Sequence, residues 1–202
     1  TAAVSIRWWR PQSYYDEPGR GTLARDGGGV LLTQAIHTLD LFLTLAPPVT
    51  EVTAFTGTSV AHRMETEDSA AGALRFANGA LGSLDATTAA FPGFAERIEF
   101  SGTRATAVLT GSRLELTARD GGRRSVGEAA GTGGGADPMA FAHDHHRAVL
   151  AEFLDALDGD REPRSNGAST LPALDLIEAL LASSAQRRPV PLPPPTRPVT
   201  SP

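Results

Sequence analysis

The chain has 202 residues, 41% hydrophobic and 20% charged, values of a globular domain long enough to bury one core. Its formal net charge of −5 argues against a nucleic-acid surface, which would show clustered positive charge. Cysteine is absent, which excludes disulfides, zinc–thiolate sites and thiol catalysis, and all 18 basic residues are arginine, which excludes a lysine acid or Schiff base from this chain.

No apolar run approaches the roughly 20 residues that span a bilayer, and no signal peptide is visible. The expectation is a cytoplasmic protein with neither nucleic-acid nor membrane partner. The first residue is Thr1 and a strand pattern begins almost at once, as in a fragment.

In chain order, Ala3 to Arg10 alternates, with Val4, Ile6 and Trp8 on one face, and predicts a half-buried strand. Gln12 to Gly29 reads as a long loop. Val30 to Ala46 is the strongest helix pattern, stopped by Pro47-Pro48. Val49 to Thr58 predicts a strand. Ala71 to Ala77 and Ala80 to Ala86 flank Asn78-Gly79, predicting a two-residue hairpin turn with Phe76 opposite Leu81. Arg97 to Ser101, Ala105 to Leu109, Arg113 to Ala118 and Arg123 to Val126 continue the meander.

Gly127 to Pro138 is a glycine-rich loop. Two helices follow. His143 to Leu157 is expected to bury Val149, Phe153 and Leu157 or their neighbours, and Leu171 to Arg187 has Thr170 as a candidate N-cap. The fourteen residues from Pro189 hold seven prolines and predict an extended edge segment and tail. The organisation is one domain over residues 1–188 with a proline-rich segment over 189–202. Consecutive strands with helices gathered at the ends imply an α+β fold, a large open and mostly antiparallel sheet with helices on one face. The other face calls for a partner subunit.

On a helical wheel, Thr33, His37, Asp40 and Thr44 form a narrow polar stripe on the Val30 to Ala46 helix, opposite a broad apolar face. Short polar groups around one histidine suit a face that meets a pocket or another domain. A plain surface histidine has the same spacing, since periodicity reports burial and not chemistry.

The text around this helix resembles the C-terminal half of the family that includes glucose–fructose oxidoreductase, inositol dehydrogenase and MocA. The resemblance runs through Trp9-Arg10, Tyr14-Tyr15, Arg20-Gly21-Thr22 and the block from Asp26 to Asp40. It continues through Glu67-Asp68-Ser69-Ala70, Phe76 to Ala80, Arg97 to Thr103, Phe153 to Leu157, Arg161-Glu162-Pro163 and Pro189 to Pro193. It implies an N-terminal Rossmann domain, absent from this chain, that binds NAD or NADP and supplies a lysine. This half would then be the substrate and oligomerisation domain, inactive alone and without tightly bound cofactor, in a homodimer or homotetramer formed through the open sheet face. The histidine that matches His37 lies beside the nicotinamide in many members, and imidazole suits proton transfer near neutrality.

Thr33 departs from the pattern, because many relatives carry Asp or Asn there. That leaves three readings: a dehydrogenase or reductase of a sugar or cyclitol, a non-catalytic oligomerisation or ligand-binding module, and an NAD-assisted glycoside hydrolase or lyase.

The candidate substrate residues are Thr33, Gln34, Trp9, Arg10, Tyr14, Tyr15 and Arg20. Trp and Tyr offer flat apolar faces to a polyol, and Arg and Tyr offer donors to its hydroxyls. Gly19-Arg20-Gly21-Thr22-Leu23-Ala24 fits a dinucleotide fingerprint on paper but follows no buried strand, so it is read as a loop. No metal is expected: His143-Asp144-His145-His146 reads as a polar helix start, and Glu67-Asp68, beside His62 and Glu65 in an acidic loop, as structural.

Overall fold

The computed structural model describes residues 1–128 and 143–193. Its centre is a nine-stranded sheet: β1 (Ala2–Arg7), β2 (Val49–Gly57), β3 (Ser69–Phe76), β4 (Leu81–Thr87), β5 (Arg97–Ser101), β6 (Ala105–Thr110), β7 (Arg113–Ala118), β8 (Arg123–Val126) and β9 (Val190–Pro191). The spatial order is β8-β7-β6-β5-β1-β4-β3-β2-β9. Only β1 and β4 run parallel; every other pair is antiparallel.

Two helices cover one face: α3 (Ile36–Leu45) and α5 (Gly167–Gln186). Their apolar sides meet Val4, Ile6, Val52, Leu74, Phe76 and Leu84 through Leu39, Phe42, Leu176 and Leu180, all buried. Phe42 stacks on Phe100 at 5.6 Å and meets Phe76 at 6.1 Å. Each such fully buried side chain contributes roughly 1.5–3 kcal/mol. The stretch Leu23–Leu45 is long and apolar enough to cross a membrane by length and composition alone. Its helix is broken at left-handed Gly27, however, and Val30, Leu31, Ala35, Leu39 and Phe42 face this core.

The edge at β2 is managed by α5 as much as by β9. β9 pairs with Glu51 and Val52 only. Beyond it, the Ala54 and Thr56 amides donate to the hydroxyls of Ser183 and Ser184 at 3.1 and 2.9 Å. Helix side chains thereby satisfy amides that an edge strand would otherwise leave open.

Four local expectations change. The segment from Gln12 to Gly29 is no structureless loop, since it holds α1 (Gln12–Tyr15) and α2 (Leu23–Asp26), the latter capped by Thr22. The hairpin turn has three residues. Phe76 N–H donates to the Ala80 carbonyl, and only Gly79 has positive φ, whereas a two-residue type I′ turn needs two such residues. Arg75 therefore pairs with Leu81, and Phe76 is buried while Leu81 is exposed, the one-residue slip that moves a side chain to the other face. Helix α5 starts at Gly167 with Asn166 as its cap, not at Leu171 with Thr170. Finally, α4 (Asp144–Asp158) leaves Val149, Phe153 and Leu157 at 53%, 46% and 62% exposure, because no other described element packs over that face. Most of the glycine-rich segment and the end of the tail lie outside the described residues.

The helix with the polar stripe does not start as an ordinary α-helix. Leu31–Ala35 form a π-turn that runs into α3. Its start is clamped by Glu67: the backbone carbonyl accepts from Val30 N–H at 2.8 Å and the carboxylate accepts from Leu31 N–H at 3.2 Å. Two of the donors that a helix start leaves open are satisfied this way, with an anion at the favourable end of the dipole. Gly29 makes the approach possible. A Cβ there would lie 2.0 Å from the Glu67 carbonyl oxygen, inside any contact distance. The expected outcome is that Gly29→Ala lowers unfolding free energy by at least about 2 kcal/mol in urea denaturation, through forced overpacking. Gly28→Ala, which meets only the flexible Leu32 side chain at 3.0 Å, should cost much less.

Candidate functional site

The loop after β1, helices α1 and α2, and the π-turn converge on a recess of about 90 Å³ lined by Tyr14, Tyr15, Arg20, Gly21, Thr33, Gln34 and Met64, among others. Five of the predicted site residues are therefore brought together from three segments. Trp9, Arg10 and His37 do not line the recess.

Tyr14 is its aromatic floor. The Arg20 guanidinium lies 4.0 Å from the ring centre and that of Arg10 lies 5.2 Å from it, both within cation–π range. Arg20 also donates through Nε and Nη2 to Glu17 at 3.1 and 2.6 Å, which orients the fork. Gln34 is only 5% exposed, and its Oε1 accepts from the Thr33 hydroxyl. No described residue accepts from its amide nitrogen, so Gln34 keeps a donor for whatever enters the recess.

The π-turn leaves Thr33 on the exposed side and carries the stripe onward to His37, Asp40 and Thr44, all exposed. π-Turns recur at functional sites because the extra residue re-aims side chains without ending the helix. Thr33 Oγ1 also lies 2.8 Å from the Gly29 carbonyl, so its one proton is shared between that carbonyl and Gln34 Oε1. His37 has no hydrogen-bond partner among the described residues. Burial raises the Asp40 carboxyl, against the opposing influence of His37. Leu41 and Leu45 share this side of α3, at 42% and 55% exposure.

Trp9 and Arg10 belong to the wall behind the recess. Trp9 bridges to Ala89, meets Phe91 edge-on at 5.5 Å and lies 6.0 Å from His62. The Arg10 guanidinium lies equally near Trp8 and Tyr14. His62 and Asp68, read from the sequence as part of an acidic loop, have wholly buried side chains. His62 Nδ1 lies 2.7 Å from Asp68 Oδ2 and Nε2 lies 2.8 Å from the Arg10 carbonyl. Asp68 also accepts from the Ser59 amide, the Ser59 hydroxyl and the Ser69 hydroxyl, at 2.9, 2.6 and 2.9 Å. Burial pushes this carboxyl up, but the bonds from Ser59, His62 and Ser69 outweigh it and hold Asp68 below the usual carboxylate range. Breaking such a buried pair on one side costs roughly 3–5 kcal/mol. Glu67, one residue earlier, is raised by burial despite its bonds to the π-turn.

Sequence reasoning missed His62, Thr88 and Met64. No local signal marks a histidine as buried when its partners are six and 52 residues away. His143, Asp144 and His146 stand exposed at the start of α4, and no group of three acidic or histidine side chains among the described residues could hold a metal ion.

The GFO/IDH/MocA C-terminal domain family matches residues 1–108, slightly more than half the chain. The chain belongs to the GFO/IDH/MocA family. No curated protein sequence matches it. Among solved structures, the WlbA dehydrogenase from Bordetella pertussis, in complex with NADH and UDP-GlcNAcA, is 31% identical with a TM-score of 0.76. The alignment covers 96% of this chain and 54% of that one. The WlbA dehydrogenase from Chromobacterium violaceum, with the same ligands, is 28% identical with a TM-score of 0.73 and covers 95% and 54%. A levoglucosan dehydrogenase in complex with NADH shares the fold, with a TM-score of 0.78 at 21% identity, covering 95% and 58%. This GFO/IDH/MocA chain thus spans little more than half the length of the structures it matches.

The recess wall has a spectroscopic handle. Tyr15 is buried, its hydroxyl 2.7 Å from Thr88 Oγ1, and desolvation raises its pKa to about 12 despite that hydrogen bond. The unfolded phenol ionises near its ordinary value of about 10. A raised folded-state pKa contributes stability that is complete below pH 10 and is lost as pH rises from 10 through 12. In a Tyr14→Phe variant, which leaves Tyr15 as the one tyrosine, ultraviolet absorbance should show a single phenolate step near 12, and urea midpoints should fall across that window.

Proposed function

We propose that this chain is the substrate-binding and oligomerisation half of a cytoplasmic NAD(P)-dependent dehydrogenase or reductase that acts on a sugar or cyclitol hydroxyl or carbonyl. The observation that carries the reading is the continuity of the Tyr14–Arg20–Gln34 recess with the uncovered Thr33–His37 stripe of α3. The recess offers polar groups to a small polyol, and the helix that borders it presents an accessible imidazole.

The family implies nicotinamide chemistry, which calls for a dinucleotide cradle. Gly19 to Ala24 follows a turn and opens only the four-residue α2, so it lacks the strand–turn–helix setting that cradles a pyrophosphate. The residues present fit only the nicotinamide end, against the exposed face of α3. A separate nucleotide-binding domain would hold the rest. When bound, the nicotinamide accepts or supplies a hydride. His37 takes or returns the proton of the substrate hydroxyl as general base or acid. Gln34 donates to a substrate oxygen, Tyr14 and Tyr15 offer ring faces, and Arg20 a donor fork. Arg10 and Trp9 support this wall from behind.

Uncovered apolar surface supports a larger assembly. Val149, Leu150, Phe153, Leu154 and Leu157 form an exposed face of α4, and Leu41 and Leu45 flank His37. A helix of this length is marginal in water without packing, so α4 calls for cover beyond the described residues. We assign these two surfaces to the nucleotide-binding domain. The sheet face opposite α3 and α5 presents Ala71, Ala73, Ser83 and Thr53 with Phe55 at 76% exposure, a flat surface for a second copy in a homodimer or homotetramer. The two WlbA relatives are bound to a sugar nucleotide, which favours a substrate of that class.

Thr33 favours a second reading, a ligand-binding module without catalysis. Its hydroxyl is engaged with Gly29 and Gln34, and it gives His37 no carboxylate partner. Kinetics on the protein from the full coding sequence separates the two, with UDP-GlcNAcA and levoglucosan as substrates. Under the dehydrogenase reading, His37→Asn lowers kcat by about 10²–10⁴-fold while NADH fluorescence titration is unchanged. Unchanged kcat would remove His37 from the mechanism. The 202-residue chain alone should show no heat of binding with NAD(H) or NADP(H) in calorimetry, and sub-micromolar binding would overturn the division of labour.

A further inference from the structure

We propose that His62 and Asp68 form a buried positioning pair that fixes the Arg10–Tyr15 wall of the recess, with both ring nitrogens of His62 donating; the link to substrate rests on the dehydrogenase reading above. Nδ1 faces the Asp68 carboxylate and Nε2 faces the Arg10 carbonyl, and neither acceptor can supply a proton. Only a ring carrying hydrogen on both nitrogens satisfies both contacts. A neutral ring would set one lone pair against another in a site with no access to water, since both side chains are 0% exposed.

Asp68 is itself held from three other directions by Ser59 and Ser69, and its backbone carbonyl accepts from Thr88 N–H at 3.0 Å. Thr88 in turn accepts from Arg10 N–H at 2.8 Å and meets the Tyr15 hydroxyl. Arg10 is thus gripped at both ends of its backbone, through its amide by Thr88 and through its carbonyl by His62. The next residue is Pro11, followed by α1, so the grip on Arg10 sets where Tyr14 and Tyr15 enter the recess. Trp9 and Tyr15 close over the His62 ring, the latter with centroids 4.7 Å apart. None of these contacts is made by a residue that lines the recess except Tyr15. His62 and Asp68 act through the wall and do not touch substrate.

The test separates position from packing. His62→Phe keeps a ring between Trp9 and Tyr15 but removes both donors, and Asp68→Asn keeps shape but removes the carboxylate. In the 202-residue chain, well below its unfolding temperature, wild type should show two slowly exchanging imidazole N–H signals from His62 in nitrogen-edited NMR. Both variants, read in the Tyr14→Phe background, should bring the Tyr15 phenolate step from about 12 toward 10. Amide exchange over residues 10–16 should speed at least tenfold while β3 and β4 stay protected. If His62 carries one ring N–H, or His62→Phe leaves Tyr15 and the exchange of residues 10–16 unchanged, the pair does not position the wall.

In the full-length protein, the same variants should raise KM for the sugar substrate at least tenfold, with kcat and the KM for NAD within about twofold. Equal loss of active protein at unchanged KM would make the pair merely structural. Absence of turnover by wild type with UDP-GlcNAcA or levoglucosan would count against the dehydrogenase reading, and the chain-level measurements would still decide the pair.

Discussion

The dipeptide Glu67-Asp68 is the constraint on which the recess depends. The first residue faces the helix layer, where its carbonyl and carboxylate take the first two amides of the π-turn. The second faces the β1 loop, where its carboxylate anchors Ser59, Ser69 and His62 and, through His62, the backbone of Arg10. Two walls that are distant in sequence are thereby hung from adjacent residues at the entrance to β3. Burying two carboxylates in one place is costly, and their opposite shifts show how the cost is met. Asp68 is saturated with donors and driven low, while Glu67, with fewer, is driven up by burial.

The sheet explains why such a junction is available. β1 lies parallel to β4 at the centre, between β5 and the β4–β3–β2 meander. The chain leaving β1 at Arg7 therefore runs beside the end of β4, and Trp8 and Arg10 donate to Thr87 and Thr88 just past that strand. The start of β3 lies next to the end of β4, which puts Asp68 against Thr88. All three come together at one end of these central strands, under the start of the helix that carries Thr33, Gln34 and His37. Among the described residues, the outward faces of α3 and α4 remain uncovered.

Much of this was legible beforehand because local patterning and turn chemistry act over a few residues. The alternation of Val4 and Ile6, the stop at Pro47-Pro48 and the polar stripe Thr33–His37–Asp40–Thr44 all appear in the structure where the periodicity puts them. The hairpin differs by one residue from its sequence pattern because Asn78-Gly79 fits two turn types, and only the pairing with β3 selects between them. α4 departs from its sequence pattern for a different reason. Its amphipathic spacing is real, but periodicity states that a face wants burial and not that this chain supplies the cover.

Composition and motif determined by themselves that this is an arginine-only, cysteine-free α+β domain of the GFO/IDH/MocA type, with His37 on an outward stripe. Those properties follow from residue identity and short-range spacing. Only the tertiary structure decided that Tyr14, Tyr15, Arg20, Thr33 and Gln34 share one recess, that Trp9 and Arg10 stand behind it, and that His62 is a buried bridge. The physical reason is range: His62 owes its role to a carboxylate six residues ahead and a carbonyl 52 residues behind, which meet only once β1, β3 and β4 are paired.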